Sequence, residues 1–211
     1  MCSSDLDCEK HRMVVLDDIG EQFPILSRGG LFHAILATSS IPEAIEYYRL
    51  FKQKLPEMKV TALFDPNDDN SNGASTKEAD MQEILRDYKE RYGQDFTLSN
   101  WSQFKKDVSS RLAHKEPYRL LDRKDEREKC LDLLIVVDQM LTGFDSRFVN
   151  TLHVDKKMRH ENIIQAFSRT NRLHDETLKP FGTIRYYRYP HTMDRNVKAA
   201  VELYAGNRPP S

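Results

Sequence analysis

Apolar residues along this chain fall in short unbroken runs separated by longer amphipathic stretches, a rhythm that predicts alternating strands and helices. Leu31 to Thr38 and Leu131 to Val137 (LDLLIVV) are continuous apolar runs bounded by polar residues. That is the pattern of strands buried on both faces of a parallel sheet. Val60–Phe64, Thr151–Val154 and Thr183–Tyr189 read as further strands. Ser40, with Pro42 and Glu43 behind it, forms a capping box that opens a helix to about Lys54, stopped ahead of Pro56. Ser75 with Glu78 repeats the signature for a helix to about Tyr92, ended by Gly93, and Ser99 or Asn100 caps another through Leu112. Helices are also predicted at about 160–172 and 194–203. Asp65 to Ala74 (DPNDDNSNGA) is rich in turn formers and acids and reads as an exposed loop; Arg119–Lys129 is a highly charged connection. Repeated strand–helix units favour an α/β fold with a parallel sheet covered on both faces. The helices at about 65–129 interrupt that rhythm as an insertion at one sheet edge or face.

Composition narrows this picture. At 211 residues the chain suits one large domain, or one domain with an insertion. With 39% hydrophobic and 31% charged residues it reads as globular, and no apolar run approaches a membrane span. Asp5, Asp7 and Glu9 argue against a signal peptide, and Cys2, Cys8 and Cys130 form no CxxC pair. A cytoplasmic location without membrane partners is the expectation. The seven histidines show no ligand spacing, so no metal site is predicted. The net charge of −1 is low for a self-sufficient nucleic-acid domain, so only part of any such surface is expected here.

The candidate chemistry lies in Gln165-Ala166-Phe167-Ser168-Arg169-Thr170-Asn171-Arg172. Gln165, Arg169 and Arg172 stand at i, i+4 and i+7, on one helix face, where their side chains can reach one anion. Two planar, always-charged guanidiniums suit a transferring phosphoryl group, whose transition state spreads negative charge over several oxygens. The plain alternative is a solvated basic helix edge. Upstream, the LDLLIVV run enters Asp138 and then Leu141-Thr142-Gly143-Phe144-Asp145, and ligand-binding groups cluster at the carboxyl ends of such strands. Asp138 reads as a turn cap or a strand-end metal ligand. No GxxxxGK[ST] occurs, so the chain has no phosphate loop of its own.

In this order, the TGFD loop resembles motif V of superfamily 2 helicases and translocases, and QAFSRTNR resembles their motif VI, QxxGRxxR, with Ser168 at the usual glycine. The wording LIVVDQMLTGFDSRFVNTLHVDK, then NIIQAFSRTNRL, is similar more narrowly to the motor (R) subunit of type I restriction enzymes. So is LFHAILATSSIPEAIEYYRLFK, over Leu31 to Lys52. The resemblance implies a RecA-like second motor lobe over 30–205, carrying the 65–129 insertion. Residues 1–29 would be an N-terminal extension or inter-lobe connection and 206–211 a tail. It implies ATP shared with a first lobe that also binds Mg2+, with Arg169 and Arg172 as arginine fingers and Gln165 orienting water or an arginine. Gly143 would allow close backbone approach to the nucleotide, and Asp145 would bind the ribose, fix an arginine or simply cap a turn. Thr38, Ser39 and Thr142 would hold DNA phosphates, though Thr38 and Ser39 equally fit a plain turn. Phe32, Phe144 and Phe167 read as core rather than base-stacking residues. The implied partners are double-stranded DNA, the first motor lobe and nuclease domain of the same subunit, and methyltransferase and specificity subunits. The chain alone is then expected to be inactive. The lobe of another superfamily 2 helicase, or a non-catalytic module of the same fold, are the alternatives.

Overall fold

The computed structural model describes residues 5–65, 74–119, 124–137, 146–158, 160–170, 179 and 181–204. Among these, β1 (His33–Thr38), β2 (Val60–Leu63), β3 (Leu133–Val137), β4 (Val149–Val154) and β5 (Thr183–Tyr186) form one sheet in the order β2-β3-β1-β4-β5. Every pairing is parallel, with Ala37 opposite both Val136 and Val154. All residues of β1, β3 and β4 are buried, so both faces of the sheet centre are covered. The unbroken apolar runs demand that burial.

The described helices are α1 (Asp5–Leu26), α2 (Ile41–Lys54), α3 (Ala74–Tyr92), α4 (Trp101–Leu112), α5 (His160–Thr170) and α6 (Pro190–Tyr204). Ser40 caps α2 by accepting from Glu43 N at 3.3 Å, and Pro42 fits the first turn, where no amide hydrogen is needed. Ile41, Ala44, Ile45, Tyr48 and Phe51 recur at helical spacing and pack on β1, β2 and β3. Ile41 and Phe51 are almost fully buried, each contributing roughly 1.5–3 kcal/mol.

Residues 1–29 contain a long helix that the apolar pattern did not announce. α1 packs on α2 and places Val15, Leu16 and Ile19 in the common core. Its exposed Val14 stands beside buried Val15, and Gly20 and Pro24 lie inside it, which blurs any helical stripe. Gly20 has a packing reason: a Cβ there would come 2.9 Å from the Leu55 side chain.

Between β2 and β3 in the chain, α3 and α4 gather at the β2 edge of the sheet, where Trp101 Nε1 donates to Phe64 O at 3.2 Å. They share a buried arginine. Arg111 donates to the Tyr88 and Tyr118 hydroxyls at 2.9 and 2.8 Å, with its guanidinium 3.8 Å from the Tyr92 ring centre. Some boundaries differ from those read in the sequence. α3 starts at Ala74, so Ser75 is inside the helix. Asn100 gives α4 no side-chain cap, because its Oδ1 accepts from Thr97 N at 2.6 Å and braces a 3-10 turn at Leu98–Asn100. β5 ends at Tyr186, and α6 opens at Pro190, directly after Tyr189 turns left-handed at φ 51°. The acidic loop expected at 65–74 lies, apart from its two ends, outside the described residues.

Candidate functional site

In this strand order β1 lies between β3 and β4, and the chain crosses over β1 in passing from β3 to β4. Ligands of open α/β sheets bind outside the carboxyl ends of the strands near such a reversal. Ser39 follows β1 there, Asp155 follows β4, and Arg188 comes shortly after β5. They meet in one polar network. Asp155 is fully buried, with Oδ1 accepting from His11 Nε2 at 2.7 Å and Arg188 Nε at 2.9 Å. Its Oδ2 accepts from the Tyr47 hydroxyl at 2.6 Å and Arg188 Nη2 at 3.2 Å. Arg188 Nη2 also donates to Glu43 Oε1. The other Glu43 oxygen accepts from both Ser39 N (2.9 Å) and Ser39 Oγ (2.6 Å). A carboxylate buried like Asp155 is tolerated only when its charge and lone pairs are satisfied, and here four donor contacts do so. Burial, then Asp155, pushes the Tyr47 phenol far above the usual tyrosine range. Burial lowers the Arg188 pKa, but Asp155 and Glu43 outweigh it, so the net shift is upward and the cation persists.

Thr38 is buried, and its Oγ1 donates to Val136 O at 3.2 Å. Ser39 is exposed, but its backbone and hydroxyl donors are both held by Glu43. Thr142, Gly143 and Asp145, with all of 138–145 including Asp138 and Phe144, lie outside the described residues, as does Arg172. Phe32 is core. Gln165 is an exposed residue of α5, with Arg169 four positions on in the same helix; the Arg169 and Phe167 side chains are not among those described. Exposed Ser168, in the motif's glycine position, donates its hydroxyl back to Gln165 O at 2.7 Å and so fills no neighbour's space. Both ends of α5 are tied down. Asn196 Nδ2 donates to Met158 O at 2.7 Å just before the helix, and buried Thr170 closes over Gly182. Among the described residues no group of His, Cys, Asp and Glu could hold a metal ion. The Glu43–Arg188 contact spans 145 positions and Tyr47–Asp155 spans 108, so no local pattern announces the network. Within it, Ser39 carried a signal as a strand-end hydroxyl and Glu43 as the acid of a capping box.

Two histidines are buried in the sheet, His153 near the carboxyl end of β4 and His33 at the opposite, amino end of β1. His153 Nδ1 meets the Tyr187 hydroxyl at 2.6 Å, and that hydroxyl lies 2.8 Å from Asp18 of α1, itself paired with Arg185. His33 Nδ1 lies 2.5 Å from Leu131 O, and since a carbonyl only accepts, that nitrogen carries the proton. His33 Nε2 therefore accepts from His114 Nε2 at 2.8 Å. Burial first, then the neighbouring His114 for His33 and Arg185 for His153, lowers each pKa to about 3.

A wholly parallel sheet covered on both faces, with polar groups gathered at the carboxyl ends of its strands, defines an α/β domain. Its family is specific: the chain belongs to the type I restriction enzyme subunit R domain 3 family, whose model matches residues 30–189. The endonuclease subunit of the type I restriction enzyme SauMRSORF196P of Staphylococcus aureus (strain MRSA252) is 32% identical over 170 residues, covering 77% of this chain and 17% of that protein. The corresponding SsaAORF53P subunit of Staphylococcus saprophyticus is 31% identical over 196 residues, 89% of this chain and 20% of that protein. The chain thus spans a fifth or less of the length of these relatives. Among solved structures, the C-terminal part of the Fun30 ATPase domain shows a likeness too slight to bear on detail, with a TM-score of 0.42 at 11% identity over 82% of this chain and 40% of that one.

Proposed function

We propose that this chain is the second motor lobe of a type I restriction enzyme R subunit, coupling ATP hydrolysis to translocation along double-stranded DNA before cleavage. The observation that carries the reading is the Gln165–Arg169 helix after β4, inside a segment that belongs to the R-subunit domain 3 family. ATP would lie between this lobe and a first lobe of the same subunit, which would also hold Mg2+. With no phosphate loop in the chain, its contribution is charge stabilisation. Arg169 and Arg172 meet negative charge that grows only in the transition state, and such charge is where fixed cations lower a barrier most. Gln165, one turn before Arg169, orients water or one arginine. Gly143 and Asp145 would approach the nucleotide, and Ser39 and Thr142 would lie along the DNA backbone; Thr38, buried with its hydroxyl on Val136 O, serves the strand end instead. Cleavage would fall to a nuclease domain elsewhere in the subunit, and sequence recognition and methylation to the specificity and methyltransferase subunits. The competing reading is a non-catalytic module of the same family.

Alanine substitution in the complete subunit separates the two. Arginine fingers are worth on the order of 10³–10⁵ in rate, or roughly 4–7 kcal/mol. Arg169→Ala and Arg172→Ala should each abolish ATP hydrolysis and translocation while leaving the melting temperature and DNA binding nearly unchanged. Arg→Lys should rescue poorly, because a point charge cannot reproduce the bidentate fork. Hydrolysis within a fewfold of the parent in both alanine variants would reduce α5 to a solvated basic edge.

A further inference from the structure

The donors on the sheet's carboxyl edge that face outward are already occupied by an anion belonging to the chain itself. Ser39 N–H, Ser39 Oγ–H and Arg188 Nη2–H all end on the Glu43 carboxylate. These donors come from two places, the end of β1 and the segment after β5, and both are open to solvent. Ser39 is exposed, and the Arg188 side chain is 19% exposed. The two carboxylates are held unequally. Asp155 is gripped by Arg188 through Nε and Nη2 and also contacts His11 and Tyr47. Glu43 shares Arg188 through Nη2 and otherwise holds the two Ser39 donors. Asp155 is fully buried, whereas Glu43, at 8% exposure, stands in the first turn of α2 beside exposed Ser39.

We propose that Ser39 and Arg188 form a seat for a phosphodiester of the DNA backbone, and that Glu43 is a latch filling this seat in the DNA-free state. Exchange of the Glu43 carboxylate for a phosphodiester replaces one negative charge by another, so the network's charge balance is unchanged. The incoming phosphate takes the same three donors, one from a guanidinium, which favours phosphate geometry. Arg188 thereby becomes a backbone contact that positions DNA without reading its sequence. The device lowers affinity for stray anions and makes backbone binding conditional on opening the latch. The proposal rests on the DNA-facing reading of this edge given above.

The test is fluorescence anisotropy of the chain with a labelled 30-base-pair duplex of arbitrary sequence, titrated at several salt concentrations. Glu43→Ala, which removes the latch, should tighten binding about tenfold, the worth of one charge-assisted hydrogen bond. The slope of log K against log salt should steepen by about one phosphate contact. Glu43→Gln, which keeps an acceptor for Ser39 but not the charge, should fall between Ala and the parent, and preserves the test if the alanine variant folds poorly. Adding Ser39→Ala should erase most of the gain. Glu57→Gln, an exposed acid distant from the edge, should change little and controls for net charge. If the parent binds DNA but neither Glu43 variant binds more tightly, the latch is wrong and the DNA-facing edge stands. A gain that survives Ser39→Ala, or is matched by Glu57→Gln, also overturns the latch. If neither the parent nor any Glu43 variant binds DNA, the DNA-facing reading itself falls.

Discussion

Adding a single methyl group at Gly182 tests the seat of the arginine helix and its role together. An ideal Cβ there would lie 2.3 Å from Thr170 O, 2.5 Å from Thr170 C and 2.6 Å from Thr170 Cβ. Ordinary contact begins at 3.4 Å, so the end of α5 must retreat by 1.1 Å, the gap between 3.4 and 2.3 Å. A backbone carbonyl cannot swing aside as a side-chain tip can, and Thr170 is 1% exposed, so the last turn of the helix has to move. Overpacking of this kind costs about 1–3 kcal/mol. In a chain of this size each kcal/mol is worth about 2–4 °C. Gly182→Ala should therefore lower the melting temperature of the chain by roughly 2–12 °C, read by circular dichroism. Arg169 immediately precedes Thr170, and a displacement of about 1 Å in a catalytic constellation costs on the order of 10² in rate. ATP hydrolysis by the complete subunit carrying Gly182→Ala should fall by about that factor even well below its melting temperature. Parental stability together with parental hydrolysis would show that α5 does not close on Gly182. A lowered melting temperature with unchanged hydrolysis would keep the packing argument and refute the catalytic role of the helix.

Acid should destabilise the chain through its two buried histidines. His33 and His153 titrate at about 3 when folded against 6.5 unfolded, so below 6.5 the unfolded chain takes up protons that the folded chain refuses. Stability is full above 6.5 and drains away toward 3; at pH 5 the loss is about 2 kcal/mol per histidine. Urea denaturation at pH 7.5 and 5 should show it, and His153→Leu should flatten the difference; an unchanged difference would mean His153 is not held neutral. Arg188→Ala strands fully buried Asp155 without its cation and should cost about 3–5 kcal/mol in the same assay. A loss below about 1 kcal/mol would show the pair to be solvated.

The strands and their parallel pairing were legible in the sequence because a strand buried on both faces needs an unbroken apolar run, and β1 and β3 have one. The α2 cap was legible because Ser40, Pro42 and Glu43 act within one turn of each other. The helix carrying Gln165 and Arg169 was legible for the same reason, since helical geometry sets residues four apart on one face without reference to the rest of the chain; Arg172 lies outside the described residues. Tertiary structure alone decided the remainder. α1 is held by what it touches, with Asp18 on Arg185 and Val15, Leu16 and Ile19 in a core built by later segments, so its own pattern is weak. Gly182 is dictated by the carbonyl of a residue twelve positions earlier, which only the fold brings overhead. Glu43 could be read locally as a capping residue. That its carboxylate passes over Ser40 N to hold Ser39 and Arg188 depends on strand order, which sets the ends of β1, β4 and β5 side by side. Sequence fixes the interactions that close within a turn or a strand; those between residues a hundred or more positions apart exist only after the sheet has assembled.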